Sequence, residues 1–489
     1  MKTMLGLLTE TARRFPERAA FEDEGCVLTW QALLNRSRQI GTALSQLLPA
    51  HSPVAVCMEK KPETIAAMLG VLWAGCYYTV LDCTMPAKRV QLILDVFKPR
   101  AVLCEKGETD KWQSLAPNAC CLASEEIQTN ADEEKLACIQ QDVIDTDLMY
   151  VLFTSGSTGT PKGVSIRHAS VLDFTAWAAE ALHIDEHCRF GNQAPLYFDN
   201  SVLDIGCALR TGAAVHFIPR KCFMFPRKLM CYLEDHKIDT LFWVPSALMS
   251  PANAGIVTDG HPRGVKRVFF CGEVMPCKQL NVWRDSLPHA DFVNMYGPTE
   301  ITDVCAWYRV NRDFRDEDAL PIGFPCDNTR ILLLEGEICV AGVGLAAGYY
   351  RAPDKTAAAF VQNPLNSVVP ELIYKTGDLG AYNDRGELMF LGRKDSQVKR
   401  QGYRIELGEI EAALQACDGV ENGCCFFDAE KEAITAVYTG CASQQTVKAA
   451  LKLALPKYML PDEYRVMQQL PQTGNGKLDR LRLRQELDE

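Results

Sequence analysis

Up to about residue 325 the chain alternates between two patterns. Short unbroken apolar runs such as Pro53-Val54-Ala55-Val56-Cys57 suit strands covered on both faces. The longer segments between them carry apolar residues at helical spacing. Residues 62 to 82 give the unit in one piece: a helix whose small residues allow close packing, then a strand. Strand and helix in alternation build a parallel sheet. A helix is predicted near 169 to 182, and residues 1 to 50 read as helices flanking the extended piece Cys26–Trp30. The segment 105 to 145 is polar and reads as surface. Leu241–Pro245, Arg267–Glu273 and Asp291–Tyr296 read as strands ending in turn residues, and ligands of open α/β sheets bind beyond such C-terminal strand ends.

Beyond residue 325 the pattern becomes short strands punctuated by glycine, as in 330 to 340, which predicts a small β-barrel-like subdomain. From Glu406 a helix is expected, acidic in its first turn as the helix dipole favours, with Leu407, Ile410 and Leu414 on one face. Two strands and another helix should follow. The fold class is therefore α/β: a large N-terminal domain of parallel α/β sheets with the β-barrel-like subdomain, residues 1–394, and a small α+β lid, residues 395–489.

Composition narrows the function. A chain of 489 residues, 47% hydrophobic, exceeds one core and has ample material for two domains. No apolar run approaches a membrane span, and Glu10 interrupts the N-terminal apolar patch, so membrane insertion is not expected. A net charge of −11 argues against a nucleic-acid or anionic-membrane surface. Any phosphate binding must be local. The 21 cysteines include no Cys-x-x-Cys, which fits buried thiols in a reducing cytoplasm.

Candidate chemistry centres on residues 147 to 163, where an apolar strand runs into Thr154-Ser155-Gly156-Ser157-Thr158-Gly159-Thr160-Pro161-Lys162-Gly163. Its glycines let backbone N–H groups approach an anion, Thr154, Ser155 and Thr158 add donors, and Lys162 adds charge. A Walker loop is excluded because Gly163, not Ser or Thr, follows the lysine. Alone, the loop could equally be a flexible turn. Downstream, Asn294-Met295-Tyr296-Gly297-Pro298-Thr299-Glu300 combines a purine-stacking ring, a hydroxyl for phosphate and a carboxylate for magnesium. Asp378 of Tyr-Lys-Thr-Gly-Asp-Leu can accept hydrogen bonds from both ribose hydroxyls. Asp199 follows two aromatics on a half-buried wall, where it needs a cation or serves as a helix N-cap. Lys477 lies in a glycine-rich loop and on its own would be solvated surface.

Together these motifs, in this order, resemble the adenylate-forming (AMP-binding) superfamily, the acyl-AMP and aminoacyl-AMP ligases. The closest resemblance is to D-alanyl carrier protein ligases and freestanding adenylation domains of nonribosomal peptide synthetases. The resemblance implies ATP and Mg2+, with Thr299 and Lys477 catalytic and Glu300 on the metal. It implies that Gly272 and Glu273 lie beneath the adenine, that Arg393 contacts the nucleotide and that Asp395 is the hinge. It also implies that Asp199 holds an amino acid's α-ammonium group, and that Leu203, Phe242, Phe269, Cys271, Met295, Asp303 and Val304 surround the side chain. Lys477 would bridge substrate carboxylate and α-phosphate. The expected product is an aminoacyl-AMP, passed to the phosphopantetheine thiol of a separate carrier protein, and a small amino acid such as D-alanine is favoured. Asp303 departs from the usual apolar residue; it could contact the substrate, pair with a protein group or face solvent. The rivals are an acyl- or aryl-CoA ligase, which has no ammonium to bind, and an inactive nucleotide-binding module. No carrier segment follows Arg480, so a carrier acting in trans is expected.

Overall fold

The computed structural model describes residues 2–156, 160–258, 261–395, 397–428, 431–471 and 482–483. It divides into two compact units. The first comprises Met1–Cys83, Val96–Phe153 and Gly163–Lys394; the second comprises Thr84–Asp95, Thr154–Lys162 and Asp395–Glu489. Two short pieces of the N-terminal region thus belong with the C-terminal residues.

In the first unit a nine-stranded sheet runs in the spatial order Phe324–Pro325, Ala306–Arg309, Asp291–Tyr296, Arg267–Cys271, Thr240–Trp243, Arg189–Asn192, Ala214–Phe217, Ala19–Glu22, Val27–Thr29. The six strands from Asp291–Tyr296 to Ala19–Glu22 are parallel. Register sorts their side chains. Phe242 lies opposite Phe269, and Cys271 opposite Met295. Because successive strand residues point to opposite faces, Phe242, Phe269, Cys271, Val293 and Met295 join the main core. Leu241, Trp243, Val268, Phe270 and Phe292 enter a second core on the other face.

A seven-stranded sheet follows the order Gly348–Tyr349, Lys162–Arg167, Leu148–Thr154, Tyr77–Val80, Pro53–Cys57, Ala101–Cys104, Cys120–Ala123. Two of its strands depart from expectation. Cys120–Ala123 lies within the segment read as surface; Cys120 is exposed, Cys121 and Leu122 are half-buried and only Ala123 is buried. Lys162–Arg167 begins at the lysine of the glycine loop, where the sequence suggests only a turn before the next helix.

A five-stranded antiparallel sheet, Thr329–Leu334, Glu337–Gly342, Leu372–Tyr382 and Phe360–Gln362 with Leu388–Arg393 beside Leu372–Tyr382, forms the β-rich part. Its register sets Asp378 opposite Arg393. In the second unit the helix Leu407–Gln415 buries Leu407, Ile410 and Leu414 as its periodicity requires. It packs on the strands Val420–Asp428 and Ala433–Gly440 and the helix Gln444–Ala454, whose N-terminus Ser443 caps. Glu463–Val466 adds a third strand, parallel to Ala433–Gly440. Among the described residues no helix is long and apolar enough to cross a membrane.

Candidate active site

The C-terminal ends of the parallel strands carry the candidate nucleotide residues. Tyr296 ends its strand with the ring buried, and its hydroxyl donates to Asp378 Oδ2 at 2.5 Å. Burial first, then the Asp378 charge, pushes that hydroxyl's pKa well above the ordinary tyrosine value. The other oxygen of Asp378 pairs with Arg393, which also donates to the Thr376 carbonyl at 3.3 Å. The ribose candidate is therefore held from two sides. Glu300 is fully buried; Tyr349, which sequence reasoning passed over, donates its hydroxyl to the carboxylate at 2.8 Å. A tyrosine in the glycine-flanked strand Gly348–Tyr349 gives no motif by which to find it. Asn294 donates to the Pro321 carbonyl at 2.8 Å. Pro298 leads into the single turn Thr299–Ile301, and Gly297 is forced, since a Cβ there would stand 2.2 Å from the Asp303 carbonyl oxygen. Gly272 and Glu273 follow the strand Arg267–Cys271, and the Glu273 carboxylate accepts from Ser246 N at 2.9 Å, satisfying an N-terminal donor of the helix Pro245–Asn253.

The candidate substrate residues converge from separate elements. Leu203, on the helix Ser201–Thr211, is fully buried, as are Phe242 and Phe269; Cys271, Met295 and Val304 are nearly so. Asp199 stands just before that helix. It is not the N-cap: Asn200 holds that position without a side-chain cap, while Asp199 Oδ1 accepts from Asn200 N at 3.0 Å and its carbonyl accepts from Val202 N at 2.7 Å. Asp303 is buried, so the solvent-facing reading fails. Thr302 and Asp303 both hold left-handed backbone, φ 62° and 72°, a costly state for non-glycine residues that clusters at functional sites. Thr302 is fastened by donating to the Gly344 carbonyl at 2.8 Å. The Tyr150 hydroxyl is pushed well above its ordinary pKa by burial first and then by Tyr78, Asp199 and Asp303.

The described residues of the candidate phosphate loop, from Thr154 to Lys162, belong to the second unit, where their donors meet oxygens. Gly156 admits no side chain, since a Cβ would stand 2.0 Å from the Thr160 carbonyl oxygen. Its N–H donates to Glu409 at 3.2 Å, and Lys162 Nζ lies 3.4 Å from Glu406 Oε1. The Ser155 hydroxyl donates to the Arg404 carbonyl at 2.8 Å, and the Thr154 hydroxyl to the Lys162 carbonyl at 3.5 Å. Arg89, in one of the two N-terminal pieces of this unit, pairs with Glu409. Burial raises the Glu409 pKa, with Arg89 and the Gly156 N–H opposing it. Asp395 Oδ1 accepts from Gln397 N at 3.2 Å. Thr158 and Lys477 lie outside the described residues.

Comparison with known proteins now bears on these positions. Residues 8–350 match the AMP-binding enzyme model, and residues 409–477 match the AMP-binding enzyme C-terminal domain. The chain is 32% identical to tyrocidine synthase 1 of Brevibacillus parabrevis over 98% of its own length, yet it spans only 44% of that relative. It is 30% identical to the D-alanine–D-alanyl carrier protein ligase of Staphylococcus haemolyticus, with 100% of each chain covered. Among solved structures, a holo NRPS protein containing adenylation and PCP domains, bound to a vinylsulfonamide inhibitor, superposes with a TM-score of 0.83 at 25% identity, covering 99% of this chain and 84% of that one. With both family models matched in order and the motif residues gathered at the strand ends, the chain belongs to the AMP-binding enzyme family.

Proposed function

We propose that the protein activates an amino acid with ATP, releasing pyrophosphate, and passes the aminoacyl group to the phosphopantetheine thiol of a carrier protein. The observation that carries the amino-acid reading is the place of Asp199, a carboxylate just before the helix Ser201–Thr211, whose Leu203 shares one core with Phe242, Phe269, Cys271 and Met295. Phe242, Phe269, Cys271 and Met295 lie in register on one sheet face and in the same core as Leu203. Asp199 pairs with the α-ammonium group, and the bulky apolar residues select a small side chain, as in the ligases for D-alanine.

The substrate carboxylate attacks the α-phosphorus, the bond to pyrophosphate breaks, and no enzyme nucleophile takes part. The chain supplies position and charge. Tyr296 stacks on the adenine above Gly272 and Glu273. Asp378, oriented by Arg393, accepts from the ribose, and Thr299 and Lys477 meet the α-phosphate. Glu300, oriented by the Tyr349 hydroxyl, is the carboxylate that would hold magnesium, which would supply positive charge beside the nucleotide phosphates. In the second half-reaction the carrier sulfur bonds to the acyl carbon and AMP leaves with the bonding pair. Asp395 serves as the hinge between the half-reactions. The 21 cysteines, most of them buried, suit a reducing cytoplasm.

An acyl- or aryl-CoA ligase has no ammonium group to match Asp199. An ATP–pyrophosphate exchange screen over L- and D-amino acids and amino-free carboxylic acids tests the reading. Exchange is expected with small amino acids, D-alanine among them. Equal exchange with acids lacking the amino group would overturn it.

A further inference from the structure

Lys60 stands in a Lys-Lys-Pro run at the start of the helix Pro62–Trp73, a place where lysines ordinarily reach water. It turns inward instead. Its ammonium donates to Asn192 Oδ1 at 2.9 Å and faces three successive carbonyl oxygens, Gln193 at 3.1 Å, Asn192 at 3.3 Å and Ala194 at 3.4 Å. Asn192, fully buried as the last residue of its strand, passes the link on. Its Nδ2 donates at 2.8 Å to Asp204 Oδ2, also fully buried, one turn into the helix Ser201–Thr211.

Between those fixed points runs the segment that carries Asp199. Its start is tied to Lys60 through three carbonyls, and the helix that ends it is tied to the same ammonium through Asn192 and Asp204. Within the segment, Ser201 Oγ donates to the Phe198 carbonyl at 2.7 Å, and Val202 N to the Asp199 carbonyl at 2.7 Å. We propose that Lys60, acting through Asn192 and Asp204, is a positioning residue for amino-acid recognition, holding residues 193–199 so that Asp199 meets the substrate ammonium. The proposal rests on the reading of Asp199 as the ammonium contact.

Stability does not account for the arrangement. Burial lowers the Lys60 pKa to about 7, opposed by the Asp204 charge, and raises that of Asp204 to about 7, opposed by the Asn192 hydrogen bond and then the Lys60 charge, so each charge resists its site. Asp204 Oδ1 makes no hydrogen bond among the described residues. Apolar side chains of similar volume replace such buried pairs at little or no cost in stability. What they cannot replace is a cation that gathers three backbone carbonyls at the root of a binding segment.

The test compares wild type, Lys60→Met and Asp204→Asn as full chains, by amide hydrogen exchange of the free proteins and by pyrophosphate exchange kinetics. Lys60→Met is expected to speed amide exchange in residues 193–200 by about tenfold, and to raise the KM for the amino acid by about tenfold with the KM for ATP within about twofold. Asp204→Asn, nearly isosteric, should shift the same readouts in the same direction by less, and it carries the comparison if Lys60→Met does not fold. Unchanged amide exchange in 193–200, or amino-acid and ATP KM rising together with a lowered Tm, would overturn the proposal. A wild type that activates no amino acid would instead overturn the reading of Asp199, while amide exchange would still decide what Lys60 holds.

Discussion

The two halves of the candidate site are built on different principles. Among the candidate nucleotide residues, Tyr296 and Arg393 hold Asp378, and Tyr349 holds Glu300. The candidate amino-acid residues are mostly apolar and come from one helix, three strands and a loop, with Asp199 and Asp303 as the carboxylates among them. A braced polar frame fixes the positions of its groups. An apolar enclosure with few charges fixes a volume, because its walls and a single polar group can change without rebuilding the frame. The difference locates where each half breaks: the first through lost partners, the second through altered shape.

The largest effect is expected at the brace. Asp378→Ala strips the buried Arg393–Asp378 pair of its carboxylate and leaves the Tyr296 hydroxyl without its acceptor. Breaking a pair this buried costs about 3 to 5 kcal/mol, so urea denaturation should show the loss together with a raised KM for ATP. A variant as stable as wild type would mean that the frame is not braced through this residue. Asp199→Ala comes next. Removing one partner of a desolvated charge pair costs about 2 to 4 kcal/mol, here in amino-acid affinity, measured by calorimetry with ATP affinity as the control. A matched fall in both affinities would erase the distinction between the halves.

Gly297 is where the halves touch. A methyl group there would stand 2.2 Å from the Asp303 carbonyl oxygen and 2.8 Å from Val304 Cα, so Gly297→Ala must displace the substrate-side backbone from within the nucleotide loop. Overpacking of this kind costs about 2 kcal/mol. The expected signature is a changed ranking of amino acids in pyrophosphate exchange alongside a weakened ATP KM. An ATP defect alone would show that the loop absorbs the strain before it reaches Asp303.

What could be read from the chain divides along the same line. Tyr296, Gly297, Thr299 and Glu300 are neighbours in sequence, so their types and order suggest a chemistry before any fold is known, and the helix at 407–415 follows from its apolar spacing. The sheet register that sets Phe242 against Phe269 and Cys271 against Met295 has no such local signature; resemblance alone brings those residues together on paper. The brace from Tyr349 crosses 49 positions and that from Lys60 crosses 132, and neither partner sits in a recognisable motif. Left-handed backbone at Thr302 and Asp303 was equally hidden, because neither residue is glycine and the conformation is imposed by packing.

The smallest effect expected is the one that tests whether Asp303 belongs to the substrate or to the protein. Its burial requires compensation, its strained backbone directs it rather than leaving it to chance, and its charge reaches the Tyr150 hydroxyl that also feels Asp199. If the carboxylate contacts a polar substrate side chain, Asp303→Val removes that contact while keeping the enclosure. The preference for serine, threonine or lysine over alanine should then fall by about 1 to 2 kcal/mol, the cost of a polar group left unsatisfied. Pyrophosphate exchange over those four amino acids reads the change directly. If Asp303 instead serves a protein partner, the ranking stays as in wild type while thermal stability falls. Selection would then rest on volume, set by the buried side chains of Leu203, Phe242, Phe269 and Met295.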